Sequence, residues 1–469
     1  MPKKSKRTID EKYDVVIIGS GAAGFAAAES AVGLGASVCI IEADAWGGEC
    51  PNYACVPAKS LIRSAVKYRE AKVGLSEFGI TARSVTFNFS KIMQRKEDIV
   101  MRITGDHKRI LRLAKEMGIR TVKGRAVFVD GHTVHVGTKH IAAKSFIIAT
   151  GTVDFIPPIN GINSINYLTY RDVMSLSSLP KSVLIIGGGP VGCEFATFFG
   201  YLGCSVTVAQ LASTILNRED AEIASLASQN LQAAGIRILT NTKTLSVKNV
   251  GKRIRVTLQE GARAREEVVV DHVIMAAGKR ANIEKLDLEK AEVNLDDKGR
   301  LITSEEMQTS QKHIFAAGDV SGGFQFTHVA HEEGYVAGAN AAPKTKTFLK
   351  RDMRVVPRVT FIHPELASVG LTPEEASKKK KDIIIGRFAV GSLARALTDG
   401  KRGGLLKIVV DKKTGQVLGG HMIGSHAGEV IHEVALAMHT KRTVNDIANM
   451  IHAFPTYSEA LAGAASSVL

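Results

Sequence analysis

Two segments of the chain repeat one pattern, and the repetition narrows the possible folds more than any other feature. Tyr13-Asp14-Val15-Val16-Ile17-Ile18 is rich in apolar β-branched residues and predicts a buried strand. Gly19-Ser20-Gly21-Ala22-Ala23-Gly24 follows and opens an Ala-rich helix. Ser182-Val183-Leu184-Ile185-Ile186 predicts another strand, and Gly187-Gly188-Gly189-Pro190-Val191-Gly192 opens another helix. Each has the G-x-G-x-x-G spacing between strand and helix. The first glycine makes the tight turn, the second lets the backbone approach a pyrophosphate, and the third allows close helix–strand packing. One such motif is weak evidence. Two, with Gly19 and Gly187 separated by 168 positions, imply two dinucleotide sites in an α/β chain.

The ribose ends of the two sites differ. Val38-Cys39-Ile40-Ile41 ends at Glu42, the spacing expected for a carboxylate on a ribose 2′-OH. Val206-Thr207-Val208-Ala209 ends instead at Gln210, with Asn217 and Arg218 beyond it. Gln210 can hydrogen-bond a ribose without repelling a 2′-phosphate as a carboxylate would. Arg218 is either a partner for that phosphate or a surface arginine, so NADH versus NADPH stays open at the second site.

Shortly after the first glycine motif comes Gly47-Gly48-Glu49-Cys50-Pro51-Asn52-Tyr53-Ala54-Cys55-Val56-Pro57-Ala58-Lys59. A straight helix would separate the two cysteine Cα atoms by a rise of about 7.5 Å, whereas a disulfide tolerates roughly 7 Å at most. A bond therefore needs a distorted helix start, for which Gly47, Gly48, Pro51 and Pro57 are suited. The ring it closes is small and stabilises by only about 2 kcal/mol in the chain-entropy model. A short bent bridge beside a nucleotide site suits opening and closing better than stapling. Two reduced core cysteines are the plain alternative. Cys39, Cys193 and Cys204 fall in apolar patterns and are expected to be buried and inert.

Five cysteines in 469 residues do not make a secreted disulfide framework. Lys3-Lys4-Ser5-Lys6-Arg7 is basic, but Asp10 and Glu11 follow and the next apolar run is too short for a secretory signal. No stretch reaches the ~20 apolar residues of a membrane span. These features predict a cytoplasmic protein without membrane insertion. The net charge of +15 draws anionic ligands. Its densest run, Lys378 to Lys381, follows Pro373-Glu374-Glu375 as a solvated helix end, and aromatics are not interleaved with basic residues, which argues against nucleic acid.

Between the glycine motifs, Ser60 to about Lys115 predicts two long helices, and Arg120 to Val136 a strand pair. Ser145-Phe146-Ile147-Ile148-Ala149-Thr150-Gly151 then returns the chain to the first sheet, and Pro157-Pro158 marks the exit to a second domain. That domain closes at Val273-Ile274-Met275-Ala276-Ala277-Gly278. From Phe348 onward, strands at Arg358–Ile362, Leu405–Val410 and Gln416–Ile423 and helices at Ala427–Met438 and Val444–Ala448 predict an α+β domain.

Together these residues resemble the pyridine nucleotide-disulfide oxidoreductases, from Tyr13 to Leu461. Ile314-Phe315-Ala316-Ala317-Gly318-Asp319 resembles the family's second flavin motif. Thr327-His328-Val329-Ala330-His331-Glu332-Glu333-Gly334 resembles the segment beneath the flavin. Pro357-Arg358-Val359-Thr360-Phe361 and Pro364-Glu365-Leu366-Ala367-Ser368-Val369-Gly370 resemble the opening of its dimer-interface domain. The resemblance implies an α/β fold with two Rossmann-like domains and a C-terminal α+β dimerisation domain. FAD binding would occupy 1–152 and 283–345, NAD(P) binding 153–282, and the interface 346–469. It also implies FAD contacts at Gly19, Gly21, Gly24, Glu42, Gly48, Lys59, Ala126, Thr150, Gly151, Gly318, Asp319, Thr327 and His328. Gly187, Gly189, Gly192, Gln210 and Gly278 would hold the nicotinamide nucleotide.

The implied mechanism is a relay in a homodimer. Electrons pass from NAD(P)H to flavin and on to a redox-active Cys50–Cys55 disulfide, with Cys55 facing the flavin and Cys50 meeting the substrate. Lys59 matches the lysine near flavin N5 and Glu194 its carboxylate partner, which a buried lysine needs to stay charged. One position departs from the pattern. In His452-Ala453-Phe454-Pro455-Thr456-Tyr457-Ser458-Glu459, Phe454 stands where disulfide-reducing members carry a catalytic histidine. Phenylalanine cannot move a proton, His452 matches a structural histidine and is the other candidate base, and Glu459 loses the imidazole it would orient. The chain end Ala464-Ala465-Ser466-Ser467-Val468-Leu469 lacks the cysteine pair that delivers metal in mercuric reductases. The expected activity is thus an FAD-dependent NAD(P)H oxidoreductase with a small acceptor: a metal ion, a quinone or another electrophile. The alternatives are a dihydrolipoamide dehydrogenase with an altered base and a nucleotide-sensing flavoprotein without turnover.

Overall fold

The computed structural model describes residues 8–469, so the basic run from Lys3 to Arg7 lies outside the described residues. The chain divides into two compact units. One comprises Met1–Pro57, Lys96–Phe155 and Lys279–Asp352, and the other Ala58–Arg95, Ile156–Gly278 and Met353–Leu469.

The first unit is built on a seven-stranded sheet. Its parallel part runs Arg120–Lys123, Val38–Glu42, Glu11–Ile18, Lys139–Ile148 and Ile314–Ala316. Thr133–Val136 and Ala126–Asp130 extend it antiparallel. Val15 to Ile18 are buried on both faces, as the unbroken apolar run requires. The helices Ala22–Gly33 and Thr327–Ala341 lie so close that a Cβ on Gly334 would stand 2.1 Å from the Ala23 carbonyl oxygen. Small residues are therefore obligatory along that contact.

Two expectations need correction. Three helices replace the predicted two: Cys55–Val73, Phe89–Thr104 and Arg109–Glu116. The break after Thr104 falls where Gly105, Asp106 and His107 all take φ +58, a conformation no helix continues through. The predicted strand pair is likewise three strands, because Arg120–Lys123 joins the parallel sheet and only Ala126–Asp130 and Thr133–Val136 form a hairpin.

In the second unit, Arg237–Leu239, Ser205–Ala209, Ser182–Ile186 and His272–Met275 make a four-stranded parallel sheet. A three-stranded antiparallel sheet (Thr242–Val250, Arg253–Glu260, Arg265–Val270) accompanies it. The C-terminal segment forms a five-stranded antiparallel sheet ordered Arg358–Thr360, Glu365–Gly370, Val417–Gly424, Leu405–Asp411, Ile383–Ala389. Register places Arg358, Ser368, His421, Lys407 and Arg387 in one row across all five strands. Three acids from the segment that opens helix Ala221–Ala233 meet this row: Glu219 at 3.0 Å from Arg358, Asp220 at 2.7 Å from Lys407 and Glu222 at 3.2 Å from Arg387. The first two pairs are buried, whereas Arg387–Glu222 is half-exposed; buried pairs add little net stability but are costly to break singly, about 3–5 kcal/mol. They therefore hold the helix on the sheet in one arrangement.

Candidate functional site

The first glycine turn stands at the carboxyl ends of three neighbouring parallel strands. Gly19 follows Glu11–Ile18, Thr150 follows Lys139–Ile148, and Gly318 follows Ile314–Ala316, with Ile18 and Ala316 both in register with Ile148. Gly19 takes φ +110, and a Cβ there would sit 2.3 Å from the Ala149 carbonyl oxygen. A Cβ on Gly24 would sit 1.9 Å from the Gly19 oxygen, and one on Gly48 2.7 Å from the Gly21 Cα. The buried Glu42 carboxylate accepts from the Ser20 N–H at 2.8 Å, the Ser20 hydroxyl at 2.7 Å and the Asp44 N–H at 2.6 Å. The Ser20 hydroxyl in turn accepts from the Gly47 N–H at 3.0 Å, which ties the glycine turn to the loop leading to Cys50. The Gly124 N–H donates to the Glu42 carbonyl at 2.8 Å and brings the buried Ala126 to the same strand end.

These residues fit a dinucleotide. Burial pushes the Asp319 carboxyl up to about 6; Lys279 pulls it down, while Glu49 and Glu333 push it further up. Among the described residues nothing hydrogen-bonds that carboxylate, and the Thr150 hydroxyl is buried without a partner. A desolvated acceptor and an unsatisfied hydroxyl, at strand ends beside a cradle with no room for side chains, match a ligand with hydroxyls and a pyrophosphate. Gly151 and Gly318 hold φ +66 and +80 there. Thr327 and His328 start the next helix, His328 exposed and stacked on Phe326 with ring centroids 5.5 Å apart.

The second turn, in the second unit, copies this geometry. Gly187 has φ +110, its Cβ would lie 2.2 Å from the Ala276 oxygen, and a Cβ on Gly192 would lie 2.0 Å from the Gly187 oxygen. Gly189 caps the helix Pro190–Tyr201, and Gly278 follows His272–Met275 at φ +120. Gln210 is buried; its Oε1 accepts from the Gly188 N–H at 3.0 Å and its Nε2 donates to the Thr214 carbonyl at 3.1 Å. Arg218 is exposed and makes no ion pair among the described residues.

The two cysteines are half-buried and lie on separate helices. Gly47 and Gly48, at φ +90 and +73, lead into the short helix Glu49–Asn52, which stops before the helix Cys55–Val73 begins. The expected distortion is thus a complete break at Tyr53 and Ala54. Cys55 Sγ lies 3.6 Å from the Thr327 hydroxyl. Glu49 pairs with Lys279 at 2.9 Å, and Asn52 with His107 at 3.0 Å; neither link was visible from sequence spacing. Cys39, Cys193 and Cys204 are buried as expected, and burial raises all three thiols, Cys39 and Cys204 to about 12.

In the second unit Lys59 Nζ lies 2.9 and 2.7 Å from the two Glu194 oxygens. Glu194 is buried and also accepts from the Phe361 N–H at 3.1 Å, and the ammonium sits 4.9 Å from the centre of the Phe361 ring. Phe361 is a third member that sequence reasoning left out. Lys59 is less enclosed than expected, with 32 % of its side chain exposed against 7 % for Glu194.

In the stretch from His452 to Glu459 the one histidine has both ring nitrogens engaged. His452 Nε2 lies 3.2 Å from Glu433 and Nδ1 3.1 Å from the Met450 carbonyl. Glu459 accepts from the Thr456 N–H at 2.8 Å, so it braces its own loop. Phe454 is 76 % exposed.

Comparison with known proteins is consistent along the whole chain. Residues 13–334 match the family model described as pyridine nucleotide-disulphide oxidoreductase, and residues 356–465 match its dimerisation domain. A mercuric reductase from Staphylococcus aureus is 33 % identical over 457 residues, spanning 96 % of this chain and 82 % of the relative. A dihydrolipoyl dehydrogenase from Thermus scotoductus is 35 % identical over 459 residues, spanning 97 % of both chains. Among solved structures, a Cu(II) complex of the HOCl-induced flavoprotein disulfide reductase RclA from Escherichia coli aligns with a TM-score of 0.86 at 27 % identity, over 98 % of this chain and all of that one. LpdA from Mycobacterium tuberculosis aligns with a TM-score of 0.87 at 26 % identity, over the same shares. With two dinucleotide cradles, a broken helix between two cysteines and these matches, the chain belongs to the FAD-dependent pyridine nucleotide-disulfide oxidoreductases, which use NAD(P)H as co-substrate.

Proposed function

We propose that this enzyme oxidises NAD(P)H and passes the electrons through a Cys50–Cys55 relay to a small acceptor that needs no histidine-assisted proton transfer. The observation that carries this reading is the C-terminal segment, where Phe454 is exposed in place of a base and both nitrogens of His452 are engaged. A disulfide acceptor leaves as a thiolate and gains from general acid–base help worth roughly 10²–10⁴ in rate. A metal ion takes up no proton on reduction, and a quinone draws its two protons from water. The names of two similar proteins, a mercuric reductase and a Cu(II) complex of RclA, support a metal ion as the first class to test.

Bound FAD supplies the two-electron link between nicotinamide and sulfur. Gly19, Gly21, Gly24, Gly48, Glu42, Thr150, Gly318 and Asp319 would hold it. Cys55 takes the inner position, beside the Thr327 hydroxyl, and Cys50 the outer one. The Lys59 Nζ is held between the Glu194 carboxylate and the face of Phe361. Gln210 would receive the nucleotide ribose in either NADH or NADPH. The dimerisation-domain match and the exposed apolar residues Leu436, Ile451 and Phe454 support a homodimer. Among the described residues no helix is long and apolar enough to cross a membrane, and we place the enzyme in the cytoplasm.

The test compares lipoamide, Hg(II), Cu(II) and a benzoquinone as acceptors in the parent and in Phe454→His. The parent should turn over a metal ion or the quinone and be slow with lipoamide; Phe454→His should raise lipoamide turnover by about tenfold or more. Near-normal lipoamide turnover in the parent sinks this reading in favour of a dihydrolipoyl dehydrogenase with an altered base, which the 97 % mutual coverage with the Thermus scotoductus enzyme favours. Cys50→Ser should abolish acceptor reduction while FAD stays bound.

A further inference from the structure

The turn between the two cysteines is held from outside the motif. Asn52 ends the short helix Glu49–Asn52 and is 9 % exposed. Its side-chain Nδ2 donates backwards to the carbonyls of Trp46 at 3.1 Å and Gly48 at 2.7 Å. With both amide hydrogens used, its Oδ1 must be an acceptor, and His107 Nδ1 meets it at 3.0 Å. The imidazole Nδ1 therefore carries its proton and donates.

His107 reaches Asn52 because of an unusual backbone. Gly105, Asp106 and His107 all take φ +58. The excursion is secured by hydrogen bonds from the His107 N–H to the Thr104 hydroxyl at 3.2 Å, from that hydroxyl to the Val100 carbonyl at 2.8 Å, and from the Asp106 N–H to the Met101 carbonyl at 3.1 Å. Ile110, just beyond, lies against Gly47, where a Cβ would come within 3.3 Å of it.

We infer that His107 is a positioning residue for the thiol relay: by donating to Asn52 it keeps the helix broken between Cys50 and Cys55, which sets how readily the pair forms its disulfide. An unbroken helix from Glu49 onward would separate the two Cα atoms by a rise of about 7.5 Å along its axis alone, beyond the roughly 7 Å a disulfide spans. Releasing Asn52 lets the segment relax toward that helix and favours the dithiol. This inference rests on the proposed relay.

The experiment measures the Cys50–Cys55 equilibrium in FAD-loaded protein against a dithiothreitol buffer. Reduction breaks one S–S bond and delivers two electrons and two protons from dithiothreitol, which closes its own disulfide ring; acid quench, alkylation and mass spectrometry count the thiols. His107→Gly accepts φ +58 without a Cβ penalty and removes only the ring. His107→Asn puts Nδ2 at the same bond distance as Nδ1, and asparagine tolerates left-handed backbone. His107→Gly should shift the equilibrium toward dithiol by about tenfold, equal to about 30 mV for a two-electron couple, and His107→Asn should match the parent within about twofold. A parent that titrates normally with His107→Gly unmoved, or with His107→Asn shifted as far as His107→Gly, overturns the positioning role alone. A parent pair that never oxidises overturns both that role and the relay.

Discussion

The two glycine turns are near copies of one backbone. Gly19 and Gly187 share φ +110, and the forbidden Cβ contacts of Gly24 and Gly192 agree to 0.1 Å, at 1.9 and 2.0 Å. In each, a residue 22 positions past the middle of the turn reaches back to its N–H: Glu42 to Ser20, Gln210 to Gly188. The difference lies in that one side chain. Glu42 brings a negative charge and collects three hydrogen bonds, whereas Gln210 is neutral and both accepts and donates. Backbone shape is thus dictated by glycine sterics alone. What each turn will accept is decided at the end of the next strand.

The largest effects should come from filling the turns. Gly24→Ala must push its Cβ into a backbone oxygen, a clash that cannot be relieved by side-chain movement. We expect Gly24→Ala to purify without FAD. Gly192→Ala should keep stoichiometric FAD yet raise the KM for NAD(P)H by about 5–150-fold, the range that 1–3 kcal/mol of overpacking produces. FAD absorbance and steady-state kinetics check both. Loss of FAD in Gly192→Ala would break the assignment of one dinucleotide to each turn.

Exchanging the decisive side chains should do less. Glu42→Gln removes charge-assisted hydrogen bonds worth about 1.5–3 kcal/mol, so FAD affinity should fall by about tenfold or more. Gln210→Glu places a carboxylate where a 2′-phosphate would lie, and KM for NADPH should rise about tenfold over that for NADH. Equal rises for both nucleotides would mean that Gln210 serves only to hold the turn through Thr214.

Why these turns were legible in the sequence follows from their sterics. A positive φ and a backbone oxygen at about 2 Å admit only glycine, so the pattern survives in the letters. The Lys59–Glu194 pair was legible through its place beside two such motifs. The Phe361 ring and N–H that complete it were not, since they arrive from a distant strand. The break at Gly105 to His107 leaves a weak mark in the sequence, because aspartate and histidine tolerate left-handed backbone but do not require it, and the Asn52 contact that holds His107 there comes from a distant segment. Strand Arg120–Lys123 is not separable from the strand pair in the sequence, because its parallel partner Val38–Glu42 lies some eighty residues earlier. Glu459 lacks an imidazole to orient because Phe454 stands in that place, and its carboxylate satisfies the Thr456 N–H instead.

The smallest effect is a cancellation between the two units. Burial raises the Asp319 carboxyl in the first unit from 3.8 to about 6. In the second, burial lowers His363 from 6.5 to about 4, with Lys401, Arg63 and Arg69 adding to the shift against Glu70. A raised acid contributes stability fully below 3.8 and loses it as pH climbs through 6. A depressed histidine does the reverse, contributing fully above 6.5 and losing that contribution as pH falls through 4. Each is worth roughly 3 kcal/mol, so between pH 4 and 6 their slopes oppose and the parent shows little net trend from the pair. Thermal unfolding of FAD-free protein separates them. Relative to the parent, Asp319→Asn should gain stability as pH rises from 4 to 6, and His363→Gln should lose it over the same range. Two variants that drift in the same direction would show that at least one of these groups is not held as its surroundings imply.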